Sequence, residues 1–141
     1  MTGFGLRRLL GAAILGLSGL GAFVTPRAVA APRDILIGAV YPLSGSAAAI
    51  GHDAEIALET EAAIINGHHH APMLLGQGGG LPALGGAKVK LVFADSQNNP
   101  QIASSEAQRL ITEDHVVAII GSYTSATAVT ISQICDRYQV P

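Results

Sequence analysis

The chain contains three short apolar segments, and each is followed by a helix-like pattern. The segments are 34–40, 88–94 and 116–120, and the first and third are almost continuous in apolar residues. Such segments are typical of strands that are covered on both faces, as in a parallel sheet. The order predicts an α/β fold, a parallel βαβαβα arrangement with right-handed crossovers. Residues 140–141 are predicted to enter a fourth strand.

Apolar residues at three- and four-residue spacing predict the helices. The first spans about 52–66 and stops at Asn66-Gly67; the second starts at Pro100 with Asn99 as its cap; the third starts near Thr124 or Ser125. The residues predicted to face inward are Ala54, Ala57, Leu58, Ala62 and Ile65, then Ile102, Ala103, Ala107, Leu110 and Ile111, and finally Ala128, Ile131, Ile134, Cys135 and Tyr138.

Polar turns follow the first and third segments. If the strand order is 2-1-3, both turns lie where the connections diverge to opposite faces, and ligands of open α/β sheets bind in the crevice that opens there. Hydroxyls and free N–H groups at the start of a helix suit a small anion such as a carboxylate. An ordinary helix N-cap is the alternative interpretation of Ser125. The candidate ligand-binding residues are Ser44, Ser46, Ser122, Tyr123, Thr124 and Ser125.

A long glycine-rich loop, 68–87, separates the first helix from the second strand, and its glycines and prolines make regular structure unlikely. The glycine stretch 76–80 neither follows a strand nor opens a helix, so it is not a phosphate cradle, and no cofactor is expected. His68, His69 and His70 are consecutive and offer an alternative: an exported metal-binding protein. Adjacent side chains diverge, however, so the favoured interpretation is a solvated loop without a metal.

Residues with catalytic chemistry are few. Asp95 ends the second strand, where an Asp more often holds a loop through backbone hydrogen bonds than performs catalysis. Cys135, the only cysteine, lies on an apolar stripe and is expected to be a buried, inert thiol. No Ser-His-Asp order or carboxylate pair is evident. We therefore predict no catalytic residues and a protein that is not an enzyme, while an exported enzyme remains an alternative.

The first thirty residues have the pattern of a secretory signal peptide. Arg7 and Arg8 precede the apolar run 9–24, and small residues follow at 28–30. The run is shorter than the roughly 20 residues that span a bilayer. We therefore expect residues 1–30 to be cleaved, with 31–141 folding in the periplasm. That part retains five basic and ten acidic residues, a net charge of −5, which argues against nucleic-acid binding.

Five segments together resemble one family. They are 35–45, 65–66, 92–100, 117–125 and 140–141. In this order and spacing they resemble the type I periplasmic solute-binding proteins of the branched-chain amino acid (Leu/Ile/Val) transport family. The resemblance covers essentially residues 33–141 and implies the N-terminal part of the first lobe of that fold.

The resemblance implies a two-lobed receptor that closes on a small amino acid or amide and presents it to an ABC permease in the inner membrane. The serine matching Ser125 would contact the ligand carboxylate, and residues 44–50 would line the same cleft. Family members continue through a second lobe, so we expect this sequence to be either a fragment of a longer protein or the product of a truncated gene. A ligand-sensing receptor of the same fold is an alternative that the resemblance leaves open.

Overall fold

The computed structural model of the chain describes residues 33–69 and 79–141. Within them the chain runs β-α-β-α-β-α, which confirms the predicted order. The elements are β1 Ile35–Tyr41, α1 Ala48–Asn66, β2 Val89–Asp95, α2 Pro100–Thr112, β3 Ala118–Ile120 and α3 Ser125–Tyr138, with short 3-10 helices at Gly45–Ala47 and Pro82–Leu84. The loop predicted to be irregular thus contains one 3-10 turn, and Leu81 and Ala87 form an isolated bridge within it.

The three strands form the predicted parallel sheet, in the order β2-β1-β3 that the ligand crevice requires. Along β1 and β2, Ile35 pairs with Val89 and Tyr41 with Asp95. The pairing of β1 with β3 ends at Ala39 and Ile120. The first two strands lie one residue later than predicted, and β3 begins two residues later. The Ile119 N–H donates to the Pro141 carbonyl at 2.8 Å, so the predicted entry to a fourth strand bonds to the outer edge of β3.

One face of the sheet carries the closed core. Side chains from β1 and β2 pack there against α2 and α3, and Leu110 in α2 is completely buried. The Thr130 hydroxyl of α3 also donates to the Pro100 carbonyl of α2 at 3.0 Å. The buried residues of this cluster are Val40, Ala94, Ala103, Ala107, Leu110, Val116, Ile131 and Ile134.

The opposite face is covered by α1 and is more open. An apolar pocket of about 210 Å³ lies between α1 and the sheet, with Leu58, Ala62 and Ile65 of the helix on its wall. Only Gly51 of α1 is buried. The prediction that this helix has a fully buried stripe is therefore wrong. Ala57 is exposed, and the other four predicted residues, Ala54, Leu58, Ala62 and Ile65, are half-buried.

Two contacts at its ends attach α1 to the sheet. At the C-terminal end, the Asn66 side chain donates to the Val89 carbonyl at 2.7 Å and accepts from the Val89 N–H at 2.8 Å. At the other end, a Cβ on Gly51 would lie 1.9 Å from the Pro42 carbonyl oxygen. Glycine permits this approach of the helix to the first turn. The helix itself begins at Ala48, four residues earlier than predicted.

The inward face of α3 also differs from the prediction. Ala128 and Tyr138 are exposed, Cys135 is half-buried, and Thr127 is buried at 1% exposure. Thr127, Ile131 and Ile134 follow helical spacing, so the true stripe includes a polar residue that hydrophobicity alone would place outside. None of the helices in residues 33–69 and 79–141 is long and apolar enough to cross a membrane.

We expect Leu110→Ala to lower the free energy of unfolding by about 2–5 kcal/mol, because it opens a cavity in the closed core. Val129→Ala, on the exposed face of α3, is the control and should change it by less than about 0.5 kcal/mol. Urea unfolding followed by circular dichroism measures both. Equal losses in the two variants would contradict this location of the core.

Candidate ligand-binding site at the carboxyl edge of the sheet

Two turns lie side by side where β1 and β3 end. The first turn is 42–47 and the second is 121–124; Ala39 opposite Ile120 brings their starting points together. Gly121 has φ +143°, and a Cβ there would lie 2.4 Å from the Val40 carbonyl oxygen. Only glycine therefore lets the second turn leave the sheet directly against the end of β1.

Asp95, the last residue of β2, holds the first turn. Its carboxylate oxygen Oδ1 accepts from the Leu43 N–H at 2.8 Å and from the Ser44 N–H at 3.3 Å. The same oxygen accepts from the Gln97 N–H at 2.8 Å. The prediction that Asp95 anchors a loop through backbone hydrogen bonds is confirmed.

These contacts set the protonation of Asp95. Burial works to raise the pKa of its carboxyl group, but hydrogen bonds from the Ser44 hydroxyl and from the N–H groups of Gln97, Leu43 and Ser44 stabilise the charged form more strongly. The pKa is therefore lowered from its ordinary value of 3.8. Asp95 is a carboxylate at neutral pH, and it places a negative charge beneath the first turn.

Hydroxyl groups hold the second turn. The Thr127 hydroxyl lies 2.8 Å from both Ser122 Oγ and the Thr124 carbonyl oxygen. The Ser122 hydroxyl also donates to the Thr124 carbonyl at 3.1 Å. The Thr124 hydroxyl lies 3.0 Å from that of Thr127 and donates to Asn98 Oδ1 at 3.2 Å. Thr127 and Asn98 are site residues that the sequence analysis missed.

The N-termini of α2 and α3 are capped differently. Asn99, the N-cap of α2, accepts from the N–H groups of Gln101 and Ile102, as predicted. Thr124, the N-cap of α3, makes no such bond with its side chain. Ser125 is the first residue of α3 rather than its cap. The start of α3 thus has N–H groups that its cap side chain does not occupy, and such groups favour an anion.

The structure gathers the predicted site residues into two groups at one edge of the sheet. Ser44 and Ser46 are exposed in the first turn, and Ser44 contacts Asp95. Ser122 and Thr124 are half-buried within the hydroxyl network, whereas Ser125 is exposed. Tyr123 is 47% exposed.

The histidine loop gives no support for a metal site. His68 and His69 are exposed, and His70 lies outside the described residues. Within 33–69 and 79–141, no three His, Cys, Asp or Glu side chains are placed to hold a metal ion.

Burial raises the pKa of the Cys135 thiol, which disfavours the reactive thiolate.

Asp95→Asn should lower the free energy of unfolding by about 1–2 kcal/mol at pH 7, because three N–H groups lose a charged acceptor. Since the folded-state pKa is lowered, this stability is present above pH 3.8 and is lost as the pH falls through the folded-state pKa. Urea unfolding at several pH values measures the effect. Asp53→Asn, on the exposed side of α1, is the control. A difference in the free energy of unfolding between wild type and Asp95→Asn that stays constant into strong acid would contradict the role of the Asp95 carboxylate in holding the first turn.

Comparisons with known proteins show the family of the chain. The profile of a family described as "Periplasmic binding protein" matches residues 34–141. The Leu/Ile/Val-binding protein homolog 7 of Brucella abortus is 36% identical over 114 residues, which are 81% of this chain and 25% of the relative. Homolog 8 of Brucella suis is 35% identical over 136 residues, 96% of this chain and 29% of the relative.

Solved structures share the fold. The branched-chain amino acid transporter substrate-binding protein LivJ of Streptococcus pneumoniae, in complex with isoleucine, has a TM-score of 0.61 at 24% identity. The match covers 77% of this chain and 27% of LivJ. This chain spans between a quarter and a third of the length of the curated relatives named above. The chain belongs to the periplasmic binding protein family, and its resemblance to the Leu/Ile/Val-binding members of that family is confirmed.

Proposed function

We propose that this chain is part of the solute-binding component of an ABC importer and that it binds the carboxylate of a small amino acid at the start of α3. The observation that carries the proposal is the N-terminus of α3, which its own cap side chain leaves unoccupied at the carboxyl edge of the sheet. Ser125 adds an exposed hydroxyl at the same place. Together they offer charge-assisted hydrogen bonds to a carboxylate.

Electrostatics favour the second turn over the first as the carboxylate site. The N–H groups of Leu43 and Ser44 already donate to the charged Asp95. A second anion at these groups would meet like charge, whereas the N-terminus of α3 carries a positive partial charge. We therefore assign Ser122, Tyr123, Thr124 and Ser125 to the carboxylate side of the ligand. Ser44 and Ser46 would contact its neutral or ammonium part.

The ligand class is inferred from the relatives. Two of them are described as Leu/Ile/Val-binding protein homologues, and LivJ was solved with isoleucine. Leucine, isoleucine and valine are therefore the first ligands to test, followed by small amides.

In this proposal residues 1–30 direct export to the periplasm, and an inner-membrane permease receives the ligand. A ligand-sensing receptor would bind in the same way but report to a different partner.

Titration of the ¹⁵N-labelled chain with leucine tests the site. Because the described residues provide only one wall of contacts, binding is expected in the millimolar range, where amide chemical shifts still report it. Leucine should shift the amide signals of the second turn and of the first turn of α3. Leucinamide, which lacks the carboxylate, should shift them much less.

Ser125→Ala should weaken leucine binding by about tenfold, the loss expected for one hydrogen bond to a charged group. Ser132→Ala is the matched control, because Ser132 lies in the same helix and its hydroxyl donates to the Val129 carbonyl away from the turn. The control should bind as wild type does. An absence of shifts with every amino acid and amide tested, or equal weakening in both variants, would overturn the proposal.

A further inference from the structure

Thr127 is an unusual residue for the buried side of a helix. It is 1% exposed, and within the described residues Ser96 is the one other buried polar side chain. Its methyl group suits the apolar face of α3, but its hydroxyl requires partners, since an unpaired buried hydroxyl costs about 1–3 kcal/mol. All the partners it has belong to the second turn.

The Thr127 hydroxyl makes three contacts, all with the second turn. A hydroxyl has one proton to donate and two lone pairs. The proton of Thr127 is shared between Ser122 Oγ and the Thr124 carbonyl, both at 2.8 Å. The Thr124 hydroxyl, which donates to Asn98, also lies 3.0 Å from the Thr127 hydroxyl. A shift of Ser122 or Thr124 would break part of this network, so these bonds favour one shape of the turn.

The same bonds direct the Thr124 side chain away from its usual role. A threonine at an N-cap ordinarily accepts from the second or third N–H of the helix. Here its hydroxyl contacts Thr127 and Asn98 and makes no capping bond. The network thereby leaves the α3 N–H groups open on the side where Ser125 is exposed.

We propose that Thr127 is a positioning residue for ligand binding: its buried hydroxyl fixes Ser122 and Thr124 so that the N–H groups of α3 and the Ser125 hydroxyl stay available to a carboxylate. This inference rests on the proposed function, since it assigns a role within the same site. Thr127 does not itself touch the ligand. If Thr127 were only a structural residue, loss of its hydroxyl would lower the stability of the fold and leave ligand binding by the folded chain unchanged. As a positioning residue, it weakens ligand binding by the folded chain when its hydroxyl is lost.

Two substitutions and one control separate these roles. Thr127→Val keeps the shape of the side chain but removes the hydroxyl, and Thr127→Ser keeps the hydroxyl. Thr130→Val is the matched control: Thr130 lies in the same helix, and its hydroxyl donates to the carbonyls of Pro100 and Thr127 rather than to the turn. Both Thr→Val changes remove one hydrogen-bonded hydroxyl of α3, so a general loss of stability appears in both.

Leucine titration of the full chain gives the first measurement. We expect Thr127→Val to weaken binding by about tenfold. Thr127→Ser should restore it, and Thr130→Val should bind as wild type does, even with a lower midpoint of thermal unfolding. Wild-type affinity in Thr127→Val, or equal weakening in Thr127→Val and Thr130→Val, would overturn the positioning role. If Thr127→Val does not fold by circular dichroism, Thr127→Ala takes its place with the same expectations.

A second measurement does not depend on the ligand. Backbone ¹⁵N order parameters of residues 122–126 in the free chain report the shape restriction directly. They should fall in Thr127→Val and remain at the wild-type level in Thr130→Val. Unchanged order parameters in Thr127→Val would overturn the inference, whether or not leucine binds. A wild-type chain that shows no binding while its turn loosens in Thr127→Val would instead refute the proposed function and leave the positioning of the turn supported.

Discussion

The loop between β2 and α2 holds the carboxyl edge of the sheet together. Asp95, the last residue of β2, accepts from the N–H groups of the first turn. In the loop itself, Asn98 accepts from Thr124 of the second turn, and Asn99 caps α2. Three side chains within five residues thus connect structures that follow different strands. The close approach of Gly121 to the Val40 carbonyl adds a contact between the second turn and the end of β1.

The backbone N–H donors at this edge of the sheet form two groups with different electrostatic surroundings. The N–H groups of Leu43 and Ser44 surround an internal carboxylate, and the pKa of Asp95 is lowered accordingly. The N-terminus of α3 has no such internal anion in its cap side chain. The protein therefore satisfies one group of N–H donors from within, whereas the cap side chain of α3 leaves the other group unoccupied. Under the proposed function, this asymmetry would direct the carboxylate of a bound amino acid toward α3.

The element order, the cap of α2 and the role of Asp95 could be predicted because each depends on local patterns: apolar segments, an Asn-Pro cap and an Asp at a strand end. Other features depend on contacts distant in sequence. Gly51 has the sequence character of a helix boundary, but it lies within α1 and packs closely against Pro42. Thr127 and Asn98 have little local signal, because their function depends on a network in which Asn98 and Thr124 are 26 residues apart.

The attachment of α1 at its two ends has a consequence for local unfolding. Gly51 and Asn66 are held by tight contacts, while the residues between them lie above an apolar pocket. Few buried contacts resist opening in that middle section, and regions of this kind unfold at lower free energy than a closed core. The two faces of the sheet therefore differ in cooperativity. The α2–α3 side, which has the closed core, is therefore expected to open after the middle of α1, while the N-terminal end of α1 packs against the first turn through Gly51 and Pro42.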